Sequence, residues 1–160
     1  SVEQIMEWTN FDIQRVLEIE QQNLHEQWNA ITFNFFRSTH ICDFFVAKIN
    51  EEIVGFIMSV IENKLSSEGF KIIEVGHIVN LAIDKNFKRK GIGYNLIRVI
   101  IDKLKKRHVT KVYLEARRSN KAAIKLYIKS GFKIESIRKS YYNNNEDAYI
   151  MIKLINEKEV

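Results

Sequence analysis

The 160-residue chain has no proline, one cysteine and only six glycines. A lone thiol, Cys42, excludes an intrachain disulfide and a multi-cysteine zinc site, and it suits a reducing compartment. Cys42 stands outside every motif and reads as a small buried hydrophobe. No apolar run approaches bilayer length, and the opening SVEQIMEW lacks the charged-then-apolar pattern of a secretory leader. These absences predict an intracellular, cytoplasmic protein without a membrane partner. The lack of proline excludes no fold; with abundant Ile, Lys and Asn it is the residue usage of an AT-rich genome.

What is present is an ordinary globular composition, 46% hydrophobic and 28% charged. It suffices for one domain over residues 1–160 with a real core. The net charge of +5 permits an acidic partner such as a nucleotide, nucleic acid or a ribosome. No nucleic-acid-binding signature accompanies the charge, so no specific nucleic-acid recognition is expected. The basic run from Lys103 to Arg107 reads as a solvated helix end, with ribosome or RNA contact as the alternative.

Hydrophobic periodicity predicts an α/β domain with a mixed sheet flanked by helices, in the order β-α-α-β-β-β-α-β-α-β-β. VEQIMEW alternates as a strand, and Thr9 or Asn10 can cap a helix through FDIQRVLEIEQQ. TFNFFRST reads as a short second helix. DFFVAKINEEIVGFIMSVIE is a hairpin pattern turning at Asn50-Glu51-Glu52. KIIEVGHIVNLAID is a long strand in which Gly76 marks a bulge or a close approach. From Gly93 to Arg107, Leu96, Ile97, Ile100, Ile101 and Leu104 recur at helical spacing. KVYLEA is a buried strand, NKAAIKLYIKS a helix stopped at Gly131, and FKIESIRKSYY and AYIMIKLI are the last two strands.

Two of the six glycines, Gly91 and Gly93, sit directly behind Lys88, Arg89 and Lys90 at the start of an apolar helix. Bare backbone, positive charge and free helix N–H groups together make a site for a phosphate or pyrophosphate. The spacing is neither a Walker A loop nor G-x-G-x-x-G. By itself the pair reads equally as a tight turn beside a solvated basic patch.

The loop Lys88-Arg89-Lys90-Gly91-Ile92-Gly93 is followed about thirty residues later by LEARRSNKAAIKLYIKSGF. Together these resemble the two acetyl-CoA motifs of the GNAT N-acetyltransferases, with Lys88 in place of the family's first Arg or Gln. The resemblance implies the GNAT fold and acetyl-CoA as acetyl donor, with no metal required. It implies cofactor contacts from Leu81, Ala82, Ile83, Lys88, Arg89, Lys90, Gly91, Ile92, Gly93, Tyr94, Asn120, Tyr127 and Lys129. Asn120 would contact the cofactor arm, and Tyr127 would reach the thioester sulfur.

Three further stretches, NLHEQW, VGHIVNLAI and SYYNNNEDAYIM, resemble one branch of the family. That branch comprises the catalytic subunits of the N-terminal acetyltransferase A type and their archaeal relatives, which acetylate protein α-amino groups. His25 replaces a proline of the branch, Trp28 a tyrosine and Asn145 a glycine. The resemblance implies an acceptor site with Trp28, Tyr141 and Tyr142 as substrate-binding walls. Glu26 and His77 are the candidate general bases, Glu26 preferred for its place in the acceptor loop.

An α-amino group with a pKa near 7.7–8.0 needs only a mild base, whereas a lysine near 10.4 needs a stronger one. Direct attack in a ternary complex is expected, with β-strand N–H groups from Leu81–Ile83 at the thioester oxygen. Tyr127 would protonate or hydrogen-bond the departing thiolate. Glu115 lies in a strand expected beside that of His77, with a supporting, orienting role. The two are also metal-ligand types, but without a third ligand they form no metal signature. The expected substrates are protein N-termini, with a ribosome or an auxiliary subunit as possible partner. The rival acceptors are a lysine side chain, a single ribosomal protein or a small amine. A non-catalytic CoA-binding or ribosome-docking module is the alternative from another class.

Overall fold

The computed structural model describes residues 3–8, 13–23, 25, 27–66 and 68–155. Its elements are β1 (Glu3–Glu7), α1 (Ile13–Glu20), α2 (Ala30–Thr39), β2 (Cys42–Ile49), β3 (Glu52–Leu65) and β4 (Ile72–Ile83). A 3-10 turn at Lys85–Phe87 precedes α3 (Ile92–Lys106), β5 (Lys111–Arg117), α4 (Lys121–Lys129), β6 (Lys133–Arg138) and β7 (Ala148–Leu154). Apart from that turn, the order is the one the periodicity predicts. The cap expected at Thr9 or Asn10 lies outside the described residues. The second helix begins at Ala30 rather than Thr32, because the Asn29 side chain accepts from Thr32 N at 3.0 Å and caps it there.

The seven strands form one sheet in the order β1-β2-β3-β4-β5-β7-β6. Every neighbouring pair is antiparallel except β4 and β5. The β2–β3 hairpin closes on Asn50 (φ 51°) and Glu51 (φ 67°), the two left-handed residues of a type I′ turn. Helices cover both faces. Val16 and Ile19 of α1 and Phe33 of α2 pack with Phe44, Phe56 and Met58 on one side. Leu96, Ile97, Ile100 and Leu104 of α3 pack with Ile57, Val112, Leu114 and Met151 on the other. β3 lies between both layers, so Ile53 to Val60 are all buried, while β5 alternates. Among the described residues no helix is long and apolar enough to cross a membrane.

Gly76 and the bulge are separate features. The register slip in β4 falls at Val79, since Met58 pairs with Asn80 and Ser59 with Ile78. Gly76 instead permits close packing: a Cβ there would stand 2.9 Å from Leu104 Cδ1 and 3.4 Å from Val112 Cγ2. Both neighbours are buried core groups. Gly76→Ala should therefore lower unfolding stability by about 1–3 kcal/mol through overpacking, read from urea denaturation at unchanged m-value.

Candidate active site

The site begins where the sheet opens. β4 and β5 pair only at Gly76–Val112 and His77–Tyr113. Beyond that, β4 has β3 as its one strand partner, with Val79 bulged out of the register, and Leu114 to Arg117 pair with β7 alone. The backbone edge of β4 at Leu81, Ala82 and Ile83 thus has no strand partner on its β5 side, and all three residues are partly exposed. Polar backbone in that state can accept an amide-bearing chain laid along it.

At the far end of this gap lies the start of α3. Arg89 (φ 64°) and Gly91 (φ 79°) are both left-handed, and Gly91 is the N-cap with no side-chain hydrogen bond to the helix. By contrast, α2 and α4 are capped by Asn29 and by Asn120, which accepts from Ala123 N at 3.2 Å. The first N–H groups of α3 are left without a side-chain acceptor, and Lys88, Arg89 and Lys90 are exposed beside them. That combination favours an anion. The helix starts at Ile92, not Gly93. Gly93 is buried, and a Cβ there would come 2.9 Å from Leu126 Cδ2, so its bare backbone lets α4 approach α3. Tyr94 and Lys129 are brought together across the same pair of helices, with Lys129 Nζ 5.0 Å from the ring centre.

At the mouth of the gap His77 is held between two carboxylates. Its Nδ1 contacts Glu62 Oε2 at 2.8 Å and its Nε2 contacts Glu115. Ionised carboxylates only accept hydrogen bonds, so both ring nitrogens must donate and the ring is imidazolium. Burial by itself would lower the imidazole; the hydrogen bonds to Glu115 and Glu62 outweigh it and raise it to about 9. The hydrogen bond from His77 holds Glu62 down at about 2. Tyr113 stacks on His77 at 4.1 Å and donates its hydroxyl to Glu62. Tyr127, reaching in from α4, has its phenol pushed up to about 12 by burial and then by Glu115, so it remains a donor at neutral pH. His77 and Glu115 therefore meet as an ion pair. Among the described residues no group of three or more His, Cys, Asp or Glu is arranged to hold a metal.

The residues expected to bind the acceptor lie in the α1–α2 connection and the β6–β7 loop. Glu26 lies outside the described residues. His25 donates its backbone N–H to Asn23 Oδ1 at 3.1 Å, a bond that a proline at this position could not make. Trp28 stacks on Phe36 at 4.8 Å and meets Phe33 edge-on at 5.0 Å, packed partly buried against the core. In the other loop, Arg117 lies 3.8 Å over the Tyr142 ring and pairs with Glu146 at 3.1 Å. Tyr141, 46% exposed, meets Tyr142 edge-on at 5.0 Å. Asn145 holds φ 64°, a left-handed position that glycine prefers and asparagine tolerates. The tyrosine wall is thereby anchored to the end of β5.

Sequence reasoning did not single out Glu62, Tyr113, Arg117, Glu20 or Asn80. Glu62 and Glu20 carried a signal: each is an acidic residue on an apolar stripe, in β3 and α1 respectively. A separate groove of about 630 Å³ between α1 and the β2–β3 hairpin, lined by Met6, Trp8, Arg15 and Val46 among others, includes none of the expected site residues.

A half-open parallel strand pair, a helix start without a side-chain cap behind a basic turn, and a carboxylate-bound histidine where the two strands part are thus strung along β4 and its exit. The chain belongs to the acetyltransferase (GNAT) family, whose sequence model matches residues 2–132, and it is an acetyltransferase. It is 34% identical over 143 residues to an N-alpha-acetyltransferase of Sulfurisphaera tokodaii, covering 88% of this chain and 86% of that one. It is 31% identical over 143 residues to the ribosomal protein bS18-alanine N-acetyltransferase of Escherichia coli K12, covering 88% and 89%. The crystal structure of Ard1 from Thermoplasma volcanium matches with a TM-score of 0.81 at 27% identity, over 98% of this chain and 100% of that one.

Proposed function

We infer that the protein transfers the acetyl group of acetyl-CoA to the N-terminal α-amino group of proteins or peptides, in the cytoplasm, by direct attack in a ternary complex. The observation that carries this reading is the state of His77. With both nitrogens donating to carboxylates, His77 is not a base at neutral pH, and Glu115 becomes the proton acceptor. A carboxylate is a mild base, matched to an α-amine that is already partly neutral and poorly matched to a lysine. Two carboxylates around one imidazolium also leave net negative charge where the incoming ammonium must arrive.

Acetyl-CoA supplies the activated thioester. The first-turn amides of α3 with Lys88, Arg89 and Lys90 suit its pyrophosphate, and the unpaired β4 edge at Leu81–Ile83 suits the amides of its arm. Asn120, Tyr94 and Lys129 stand on the helices that flank that path. Tyr127, kept protonated, donates to the departing thiolate. Cys42 is no acyl carrier, since burial pushes its thiol up to about 11. Trp28, Tyr141 and Tyr142 would hold the peptide end.

Short peptides with an internal lysine, each with a free or blocked N-terminus, test the reading. Transfer abolished by blocking supports it; transfer that survives moves the acceptor to lysine. The similarity to the Escherichia coli enzyme favours a second reading, in which one ribosomal protein is the substrate. Varying the first two peptide residues separates them: a single-substrate enzyme would accept one N-terminal sequence and few others.

A further inference from the structure

We propose that Glu20 is a positioning residue that sets the acceptor wall against the active-site strand. Glu20 is the last residue of α1, is 1% exposed, and belongs to no motif of the family resemblance. Its Oε2 accepts two hydrogen bonds at 3.0 Å, from the backbone N–H of Trp28 and from Nδ2 of Asn80. Trp28 is the aromatic wall of the acceptor loop. Asn80 follows Val79, the bulged residue of β4, beside the unpaired edge at Leu81. One oxygen therefore joins the segment that would face the peptide to the strand that would face the thioester.

A core hydrophobe would fill this place at less cost. Burying a carboxylate disfavours its charged form, and burial raises Glu20 above the ordinary carboxylate range against the two hydrogen bonds. Oε1 is buried too, with no hydrogen-bond partner among the described residues. A buried group kept half-satisfied is explained by what its other half holds in place. The lever is short: a displacement of about 1 Å between reacting groups can lower a rate by about a hundredfold.

Gln22, in the turn that follows α1, does the matching work on the donor side. Gln22 donates to Asp84 Oδ2 at 3.1 Å and accepts from Lys85 N at 2.8 Å. Asp84 caps the 3-10 turn that leads into Lys88–Gly91. The end of α1 and the turn after it thus hold β4 and its exit at two points, Glu20 at Asn80 and Gln22 at Asp84 and Lys85.

The assignment rests on the acceptor lying beside Trp28, as in the proposed function, and crossed variants test it. Glu20→Ala should raise the peptide KM at saturating acetyl-CoA by about tenfold or more, while the acetyl-CoA Kd stays within about twofold. Gln22→Ala should do the reverse. Glu20→Gln keeps an oxygen acceptor for both donors and should return the peptide KM to within about threefold of wild type. Should Glu20→Ala not fold, Asn80→Ala removes one of the two donors and should raise the peptide KM in the same direction by about threefold. A peptide KM unchanged in the folded Glu20→Ala or Asn80→Ala variant, both constants moving in parallel in Glu20→Ala, or no rescue by glutamine would each overturn the proposal. If wild type acetylates only lysine, the acceptor constants are taken on that substrate. A failed α-amine reading is then seen in wild type, and a failed Glu20 assignment in the variants.

Discussion

Glu115→Gln is expected to reduce kcat/KM for acetyl transfer by about 10²–10⁴-fold, the usual range for loss of a positioned general base. The amide preserves the side-chain shape and can still accept from His77 Nε2, so the β4–β5 junction should remain intact. It cannot take a proton from the acceptor amine. Because the proposed pyrophosphate site is at the start of α3, away from this strand, acetyl-CoA Kd should stay within about twofold of wild type. The measurement is a peptide acetylation assay paired with calorimetric binding of acetyl-CoA. More than about a tenth of wild-type kcat/KM in this variant would remove Glu115 as the base and return the role to Glu26. Tyr127→Phe isolates the leaving-group side, with a smaller loss of about tenfold expected for one charge-assisted hydrogen bond.

Unfolding stability is expected to fall as pH rises through about 9, and His77 is the reason. The folded protein binds the imidazolium proton more tightly than the unfolded chain, whose histidine titrates near 6.5. The contribution of the His77–Glu115–Glu62 cluster is therefore complete below about pH 6.5 and disappears as pH passes about 9. Its size is on the order of 3 kcal/mol by linkage. Glu62, held down at about 2 by His77, carries the other side of the same interaction. Its share is present above about pH 4.5 and is lost as pH falls through about 2, so the cluster gives a plateau between about 4.5 and 6.5. Urea denaturation from pH 4 to 10 would show the decline. His77→Leu should flatten it and cost about 3–5 kcal/mol at neutral pH, because Glu62 and Glu115 then face each other without the cation between them. A wild-type profile flat from pH 6 to 10 would contradict the imidazolium assignment.

Much of this molecule is local in origin and could be read before any coordinates. Strand and helix order follows from residue alternation, because a strand with one face on a core and a helix with one stripe on a core impose different periods. The basic turn and Gly91 are legible because a left-handed residue at a helix start has few alternatives. Asn120 at the head of α4 is legible for a similar reason, since a side-chain cap acts within one turn. The expected partnership of His77 with Glu115 follows from the neighbouring strands that carry them.

Other features depend on residues far apart in the chain. Glu62, 15 positions before His77, reaches it only because β3 and β4 fold into one hairpin with a fixed register. The bulge at Val79 rather than at Gly76 reflects how β4 meets β3, and Gly76 is bare because Leu104 of α3 crosses there. Glu20 meets Asn80 across 60 positions, so nothing near either residue announces the contact. The sequence by itself determined the elements, their order and the chemical types brought to the cleft, since those depend on short-range periodicity and backbone geometry. Only the tertiary structure decided that His77 meets two carboxylates and that one buried carboxylate joins Trp28 to β4. Protonation and positioning depend on which charges and hydrogen-bonding groups meet in space, and folding alone brings them together.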